Sequence, residues 1–488
     1  MTGRLPTDIR KVVLVAPPMQ IERVYGELAD FGSVSPPTGL CYIAAYLRAA
    51  GFDVSIIDAE ALGMGVDEAV RAILKDKPDI VGITCKTLWV KNAHRVAAAL
   101  KKENPNLLIV AGSNHVTALP ERSLREFSSF DIIIIGEGEI TFLEMIKALN
   151  EGKDPSGVNG LAFSINGRVH ITPPRARIRD LDSLPMPAYD LLPELSVHYK
   201  PVLAYCDKLP AFSIVASRGC PMRCTFCDRG VFGNSVTKHS PEYTVKLIKE
   251  LYYKYGIRYL MFDDDNLLQD KRHLIRLLEL MKESGLKIPF TCQSRVDTLD
   301  EERLKLLKQA GCRHILFGIE SGSQRILDAM KKGITVEQIR NAVRITNKAG
   351  IKPAGFFILG YPGETEETMQ ETVNLIRECK LSDVGVFLFS PLPGSEIYND
   401  VNKYGTYIED WDKGNAFDDI VFVPKSLTGE KLLEYSARCN DACYLNARQM
   451  LTAVTRITSW AHAKSVIKFA VKMLLPKKKR HEDKERAA

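Results

Sequence analysis

The sequence predicts an α/β protein made of two successive parallel-sheet units: a doubly wound open sheet over residues 1–155 and a partial barrel of six βα repeats over 206–405. Three observations predict it. Short β-rich runs alternate with amphipathic stretches from residue 11 to about 150, and the same alternation returns with longer helices from Phe212. In both stretches the polar and glycine residues gather just after the β-rich runs. Such alternation builds parallel sheets, because parallel strands need a crossover and the crossover is usually a helix.

In the first unit, KVVLVAPP, DVSIIDA, DIVGITC, LLIVAGS and DIIIIGEGE read as five buried strands. GLCYIAAYLRAAG, VDEAVRAILK and NAHRVAAALKKEN between them have helical periodicity, and Gly51 is placed to stop the first. Open sheets of this Rossmann-like kind bind ligands beyond the carboxyl ends of their strands. The residues there are small or polar: Pro17-Pro18, Thr84, Gly112-Ser113-Asn114-His115 and Gly136-Glu137-Gly138-Glu139. No G-x-G-x-x-G follows the first strand, which disfavours a nicotinamide or flavin dinucleotide.

Residues 156–205 read as a hairpin and linker. LAFSINGRVHIT places Asn166-Gly167 between two alternating runs, a strong hairpin signal. The Pro-rich stretch after it carries no periodic pattern and is expected to connect the units.

The second unit offers six strands: FSIVAS (212–217), YLMFDD (259–264), PFTCQSR (289–295), HILFGIE (314–320), AGFFILG (354–360) and VGVFLFS (384–390). Helical segments such as EERLKLLKQAG follow the first five. Six βα repeats suggest a partial TIM-type barrel whose chemistry lies at the strand carboxyl ends. There stand Asp263-Asp264-Asp265-Asn266, Gln293-Ser294-Arg295, Glu320-Ser321 and the GYPGET stretch at 360–365. Charged groups placed so regularly are seldom core filler, because buried charges must be paired. Arg295 and Glu320 could also pair with each other across neighbouring strands.

Residues 406–488 are expected to form a helical extension with a basic tail. Cys439 and Cys443 would share a helix face, a spacing that packing explains. Between Ser459 and Pro476, Lys464, Lys468 and Lys472 stack on one helical face opposite an apolar one, and Lys477 to Arg480 are all basic. That is the composition of a helix lying in a membrane interface, although the same face could pack on the barrel.

The formal charge of +6 is modest, and the Lys477–Arg486 tail supplies half of it, so no general nucleic-acid surface is expected. Residues 1–11 are polar and carry no signal-peptide pattern, and no window has the roughly eighteen apolar residues of a spanning helix. Eleven cysteines in 488 residues, mostly scattered, suit a reducing, cytoplasmic compartment.

Three of those cysteines are not scattered. SRGCPMRCTFCDRG, residues 217–230, holds Cys220, Cys224 and Cys227 between flanking arginines, which are expected to favour thiolates. Three thiolates at this spacing would hold a four-iron cluster with one iron open, whereas a soluble carrier uses four. A zinc knuckle would need a fourth ligand, and the nearest histidine, His239, lies twelve residues beyond Cys227.

Cys-x-x-x-Cys-x-x-Cys with Phe226 before the last cysteine resembles the radical S-adenosylmethionine enzymes. The first unit resembles the cobalamin-binding domain that precedes many of their cores, through SPPTGL (35–40, with Thr38 and Gly39), Asp58, AGSNHVTALPE (111–121) and IGEGE (135–139). The resemblance implies three cofactors: a [4Fe-4S] cluster on the three cysteines, S-adenosylmethionine, and cobalamin. It places S-adenosylmethionine near Phe226, Asp264, Ser294, Arg295 and Glu320. Cobalamin would meet Pro17, Thr38, Gly39, Thr84, Gly112, His115 and Gly136 to Glu139. Asp-x-His-x-x-Gly, which supplies a histidine to cobalt elsewhere, is absent, so the cobalt is expected to lack a protein imidazole.

The implied reaction begins with reductive cleavage of S-adenosylmethionine to a 5′-deoxyadenosyl radical that removes hydrogen from an unactivated carbon, and methylcobalamin then methylates that carbon. The electron would come from a donor such as flavodoxin or ferredoxin. An oxidative cyclase or rearrangement enzyme of the same architecture fits the motifs equally. A tRNA methylthiotransferase needs three further N-terminal cysteines, and only Cys41 and Cys85 precede residue 200. The substrate class implied is a small molecule or lipid.

Overall fold

The structure is a computed structural model and describes residues 7–19, 32–413 and 419–444. The basic amphipathic stretch at 459–476 lies outside them. The first sheet contains β1 (Lys11–Ala16), β2 (Asp53–Asp58), β3 (Ile80–Thr84), β4 (Leu108–Gly112) and β5 (Ile132–Ile134), all parallel, in the order β2-β1-β3-β4-β5. Reversal of the winding between β1 and β3 makes a switch point, where open sheets leave a crevice. Helices α1 (Thr38–Ala49), α2 (Val66–Lys75) and α3 (Val90–Glu103) make the first crossovers. Two short helices, α4 (Asn114–Ala118) and α5 (Pro120–Glu126), follow β4, and α6 (Gly138–Asn150) follows β5. Burial on both faces explains why β1 is continuously apolar: Val12 and Leu14 enter one core, Val13 and Val15 the other.

The hairpin forms as β6 (Leu161–Ile165) and β7 (Arg168–Ile171), and Asn166 and Gly167 take φ of 49° and 75°. Both central residues therefore occupy the left-handed region that Asn-Gly tolerates and a tight hairpin requires. It is no free-standing annex: β6 pairs antiparallel with β5 and extends the first sheet to seven strands.

The second sheet is parallel and open, with β8 (Ala211–Ile214) at one edge. A two-stranded ribbon follows, β9 (Ser217–Arg218) with β10 (Thr237–Lys238), and it brackets the cysteine loop. Then come α7 (Pro241–Tyr253), β11 (Tyr259–Phe262), α8 (Lys271–Glu283), β12 (Phe290–Ser294), α9 (Glu301–Gln309) and β13 (Cys312–Glu320). The curl is completed by α10 (Gln324–Ala329), α11 (Val336–Lys348), β14 (Lys352–Leu359), α12 (Glu366–Glu378) and β15 (Asp383–Leu388). Five of these helices start on Ser240, Asp270, Asp300, Thr335 or Thr365, whose side chains accept a backbone N–H three residues on. Each such cap stabilises its helix by about 1 kcal/mol. The first strand stops at Ile214, short of the expected Ser217, because Asp264 takes the Ala216 N–H at 3.1 Å.

One core runs from the first sheet through α1 and α6 into the barrel. Tyr189 and Tyr199 of the linker stack edge-on against Phe212, at 5.0 and 5.9 Å between ring centroids. Beyond the barrel the chain is not purely helical as expected. A ribbon of β16 (Gly405–Tyr407) and β17 (Phe422–Pro424) precedes α13 (Gly429–Tyr444). In α13, Cys439 and Cys443 are buried on one face.

Candidate functional site

The turn that carries the three cysteines is held from below. Asp264, fully buried, accepts hydrogen bonds from the Ala216 N–H and the Ser217 hydroxyl. Gly219 takes φ of 87°, and a Cβ there would lie 2.4 Å from the Ser235 carbonyl oxygen, so only glycine fits. Farther along, the Thr225 N–H donates to the Met330 carbonyl at 3.0 Å, and its hydroxyl shares a hydrogen bond with Tyr361 at 2.5 Å.

Cys220 is half-buried, Cys224 buried and Cys227 exposed, and all three are free thiols. Burial raises Cys220, and although Cys227 is exposed at one side, the chain packed around its thiol desolvates it and pushes it up to about 12, with Asp265 and the neighbouring thiols adding to both shifts. The expected thiolate-favouring arginines are occupied elsewhere: Arg218 is paired with glutamates and Arg229 bonds Asn234. Ionisation would therefore come from iron itself, since a coordinating thiol is deprotonated outright. Among the described residues no three His, Cys, Asp or Glu side chains could grip a single metal ion. A cluster would instead draw on the thiolates separately, one for each of three irons, and three free thiols within eight residues on one turn fit that donor set.

The residues expected around S-adenosylmethionine divide into two groups. Phe226 is half-buried, with the Lys332 ammonium 6.0 Å from its ring centroid. Lys332 donates to Glu320 at 2.6 Å, and Arg295 donates to Asp297 at 2.9 Å and to the Lys332 carbonyl at 2.8 Å. Arg295 and Glu320 thus do not pair with each other; each has its own partner, with Lys332 between them. Glu320 sits at a strand irregularity with φ of 67°, an unusual conformation for a glutamate, of the kind that concentrates at functional sites. Asp264 and Ser294 form the other group, because their side chains are spent locally. Ser294 bonds Thr298 at 2.8 Å and its neighbour's carbonyl, and Asp264 holds the turn instead of facing a ligand, with burial pushing its carboxyl up to about 7.

At the ends of the first sheet lies a cavity of about 530 Å³. Thr38 and Gly39 of α1, Thr84 and Gly112 at the ends of β3 and β4, and Gly136 to Glu139 all line it. A Cβ built at Gly39 or Gly112 would meet nothing within 4 Å, so this wall is bare backbone that a broad planar ring system could approach. The opposite wall belongs to the barrel and includes Ser217, Arg218, Asp263 and Asp265. Pro17 and His115 are not part of it. His115 turns to the far side of the sheet, 4.8 Å from the Trp411 ring, and burial lowers its pKa to about 4. The histidine that does line the cavity, His239, has both ring nitrogens engaged, by the Tyr42 hydroxyl and Asp182, each at 3.0 Å. Glu137 and Glu139 line the cavity, and both carboxylates go to Arg218, at 2.9 and 2.7 Å.

Several cavity residues escaped the sequence reading. Lys86 lies over the Trp89 ring at 4.1 Å, and burial lowers its pKa while Glu60, Asp58 and Asp263 support its charge. Glu60 is pushed up to about 7 by burial. The available signal was position, since Lys86 comes two residues after Thr84, past the end of β3. Asp58 was singled out by sequence, and it accepts from the Tyr199 hydroxyl at 2.6 Å as well as lining the cavity.

The Radical SAM superfamily pattern matches residues 214–376 and a B12 binding domain matches residues 27–146. An uncharacterized methyltransferase of Pyrococcus horikoshii is 34% identical over 96% of this chain and 98% of its own length. An anaerobic magnesium-protoporphyrin IX monomethyl ester cyclase of Rubrivivax gelatinosus is 29% identical over 83% of this chain and 73% of its own length. Among solved structures, a cobalamin-dependent S-adenosylmethionine radical enzyme, OxsB, with aqua-cobalamin and S-adenosylmethionine bound, superposes with a TM-score of 0.74 at 19% identity, covering 95% of this chain and 71% of that one.

Proposed function

Because this chain belongs to the cobalamin-dependent radical S-adenosylmethionine enzymes, with a [4Fe-4S] cluster, S-adenosylmethionine and cobalamin as cofactors, we propose that it is a methyltransferase acting on an unactivated carbon of a small-molecule or lipid-like substrate. The observation that carries this reading is the shared cavity. One wall is the strand ends of the B12-matching unit and the other is the barrel mouth beside the cysteine turn, so groups held by the two would face each other.

Cys220, Cys224 and Cys227 would hold the cluster, and Phe226, Arg295 and the Glu320–Lys332 pair would frame S-adenosylmethionine. The bare backbone at Gly39, Gly112 and Gly136 would seat the corrin, with Thr38 and Thr84 at its edge. Asp264 and Ser294 act through the backbone they fix. When bound, these cofactors supply reductive cleavage of S-adenosylmethionine and a transferable methyl group. The protein's part is to orient the reacting atoms and keep water from them.

The test uses anaerobically reconstituted protein with dithionite, S-adenosylmethionine and hydroxocobalamin. A methyltransferase makes S-adenosylhomocysteine alongside 5′-deoxyadenosine, because only methyl donation yields it. 5′-Deoxyadenosine with no S-adenosylhomocysteine would favour the second reading, an oxidative cyclase or rearrangement enzyme, which the Rubrivivax relative supports.

The electron is proposed to come from a small redox protein such as flavodoxin or ferredoxin, in the cytoplasm, which suits eleven free thiols. Among the described residues no helix is long and apolar enough to cross a membrane. The basic pattern from Lys464 to Arg480 supports peripheral contact with an anionic membrane, where each basic residue is worth about 1 kcal/mol. Equal recovery of the full chain and a chain ending near residue 455 in the supernatant, after low-salt sedimentation with anionic liposomes, would remove that contact.

A further inference from the structure

Arg218 stands two residues before Cys220, yet its guanidinium belongs to the other unit's chemistry. It donates one N–H to Glu137 at 2.9 Å and another to Glu139 at 2.7 Å. The three side chains are 9%, 5% and 4% exposed, so the link is sheltered from water and salt. Both glutamates sit where β5 hands over to α6, on the loop whose Gly136 and Gly138 line the cavity. The guanidinium is held between rings, 5.1 Å from the centroid of Tyr42 and 5.9 Å from that of Phe232.

Arg177 of the linker completes the group. It lies 3.8 Å from Glu137, donates to the Arg218 carbonyl at 3.3 Å, and bonds the Ser235 carbonyl. That Ser235 oxygen is the atom that crowds Gly219. Two arginines thus face two glutamates in a neutral group buried at Arg218 and half-buried at Arg177, and the chain between Arg218 and Cys220 has no slack. A ring system seated against Gly136 to Glu139 would press on the loop that carries both carboxylates, and a bidentate guanidinium passes such displacement on as a rigid fork.

We infer that Arg218 is a positioning residue that couples occupancy of the cavity by cobalamin to the geometry of the Cys220 turn, so that cobalamin and the cluster bind interdependently. The inference rests on the assignment of cavity and cysteines under the proposed function. Coupling between two sites is reciprocal, so it can be read from binding alone. Hydroxocobalamin affinity is measured by absorbance on full-length protein with and without its cluster. The reduced cluster's electron paramagnetic resonance spectrum is recorded with and without hydroxocobalamin.

In the wild type the two affinities should differ by about fivefold or more, and cobalamin should perturb the cluster spectrum. R218K keeps the charge but loses the rigid planar fork that ties both carboxylates to the turn, and there the affinity ratio should fall to about one and the perturbation vanish. Should R218K misfold, the double change Arg218→Met, Glu139→Gln removes one charge of each sign and leaves Glu137 with Arg177, and it should give the same result. A wild-type ratio of one, or an unchanged ratio in a folded variant, overturns the inference, since a merely structural latch would move the thermal midpoint and leave the ratio alone. Protein that binds neither cofactor overturns the proposed function as well, whereas intact binding and S-adenosylmethionine cleavage with an unchanged ratio sink only the coupling.

Discussion

Glu364 is fully buried behind the barrel mouth, where one carboxyl oxygen accepts the Gly360 and Tyr361 N–H groups and the other has no partner. Burial pushes its pKa up to about 8, with those N–H groups opposing. An unfolded glutamate titrates near 4.3. Between that value and about 8 the folded chain therefore holds a proton that the unfolded chain has released, and stability falls as pH rises, by at most about 1.4 kcal/mol per pH unit. Asp264, pushed up to about 7, acts in the same direction over the lower part of that range. Glu364→Gln keeps the acceptor oxygen and removes the proton, so urea unfolding at pH 5.5, 6.5 and 8 should show a shallower decline for the variant; parallel curves would contradict the account. A residue's chemistry was legible where spacing encodes it, as with Cys220, Cys224 and Cys227. It was not legible where burial or a distant partner decides. Glu320 finds Lys332 twelve positions on, Arg218 finds Glu137 and Glu139 about eighty positions back, and no local pattern marks either pairing.

At the scale of elements the alternation of patterns did most of the positioning. All eleven parallel strands among the described residues stand where β-rich runs stood, and the polar residues at their ends fall on the cavity and the cysteine turn, because ladder geometry puts every strand's carboxyl end on one side of its sheet. Orientation within short elements was beyond reach. Asn114–Ala118 is a five-residue helix with no periodicity to say which face is inward, and His115 proved to pack away from the cavity. The hairpin was readable from Asn166-Gly167, but its attachment to β5 was not, since a strand edge advertises no partner in the sequence. With His115 turned away and both nitrogens of His239 engaged, cobalt(II) in the reconstituted protein should show no nitrogen hyperfine splitting from an axial base. Electron paramagnetic resonance measures this directly, and a clear triplet splitting would mean that a ring nitrogen reaches the metal.

Over the whole molecule the two units are locked by contacts remote in sequence. The chain leaving β16 returns to the outer face of the first sheet, where Trp411 is buried 4.8 Å from His115. Beside it Glu409 pairs with Arg122 at 2.7 Å, and Asp410 and Asp412 pair with Lys91 at 2.7 and 3.1 Å. The ion pairs are partly exposed and contribute little each, so the indole carries the contact. Trp411→Ala should lower stability by about 3–5 kcal/mol, read as a fall in unfolding midpoint; a change below about 1 kcal/mol would show that the strap is not part of the core. This return was invisible in a sequence whose last eighty residues read simply as helical. The units, their order and the cysteine motif were legible, and these carry the central claim that the barrel mouth performs radical chemistry. The direct measurement is 5′-deoxyadenosine formed from S-adenosylmethionine by anaerobically reconstituted, dithionite-reduced protein. The account predicts turnover by the wild type and none above background by Cys220→Ala, Cys224→Ala or Cys227→Ala, whereas wild-type rates in all three variants would contradict it.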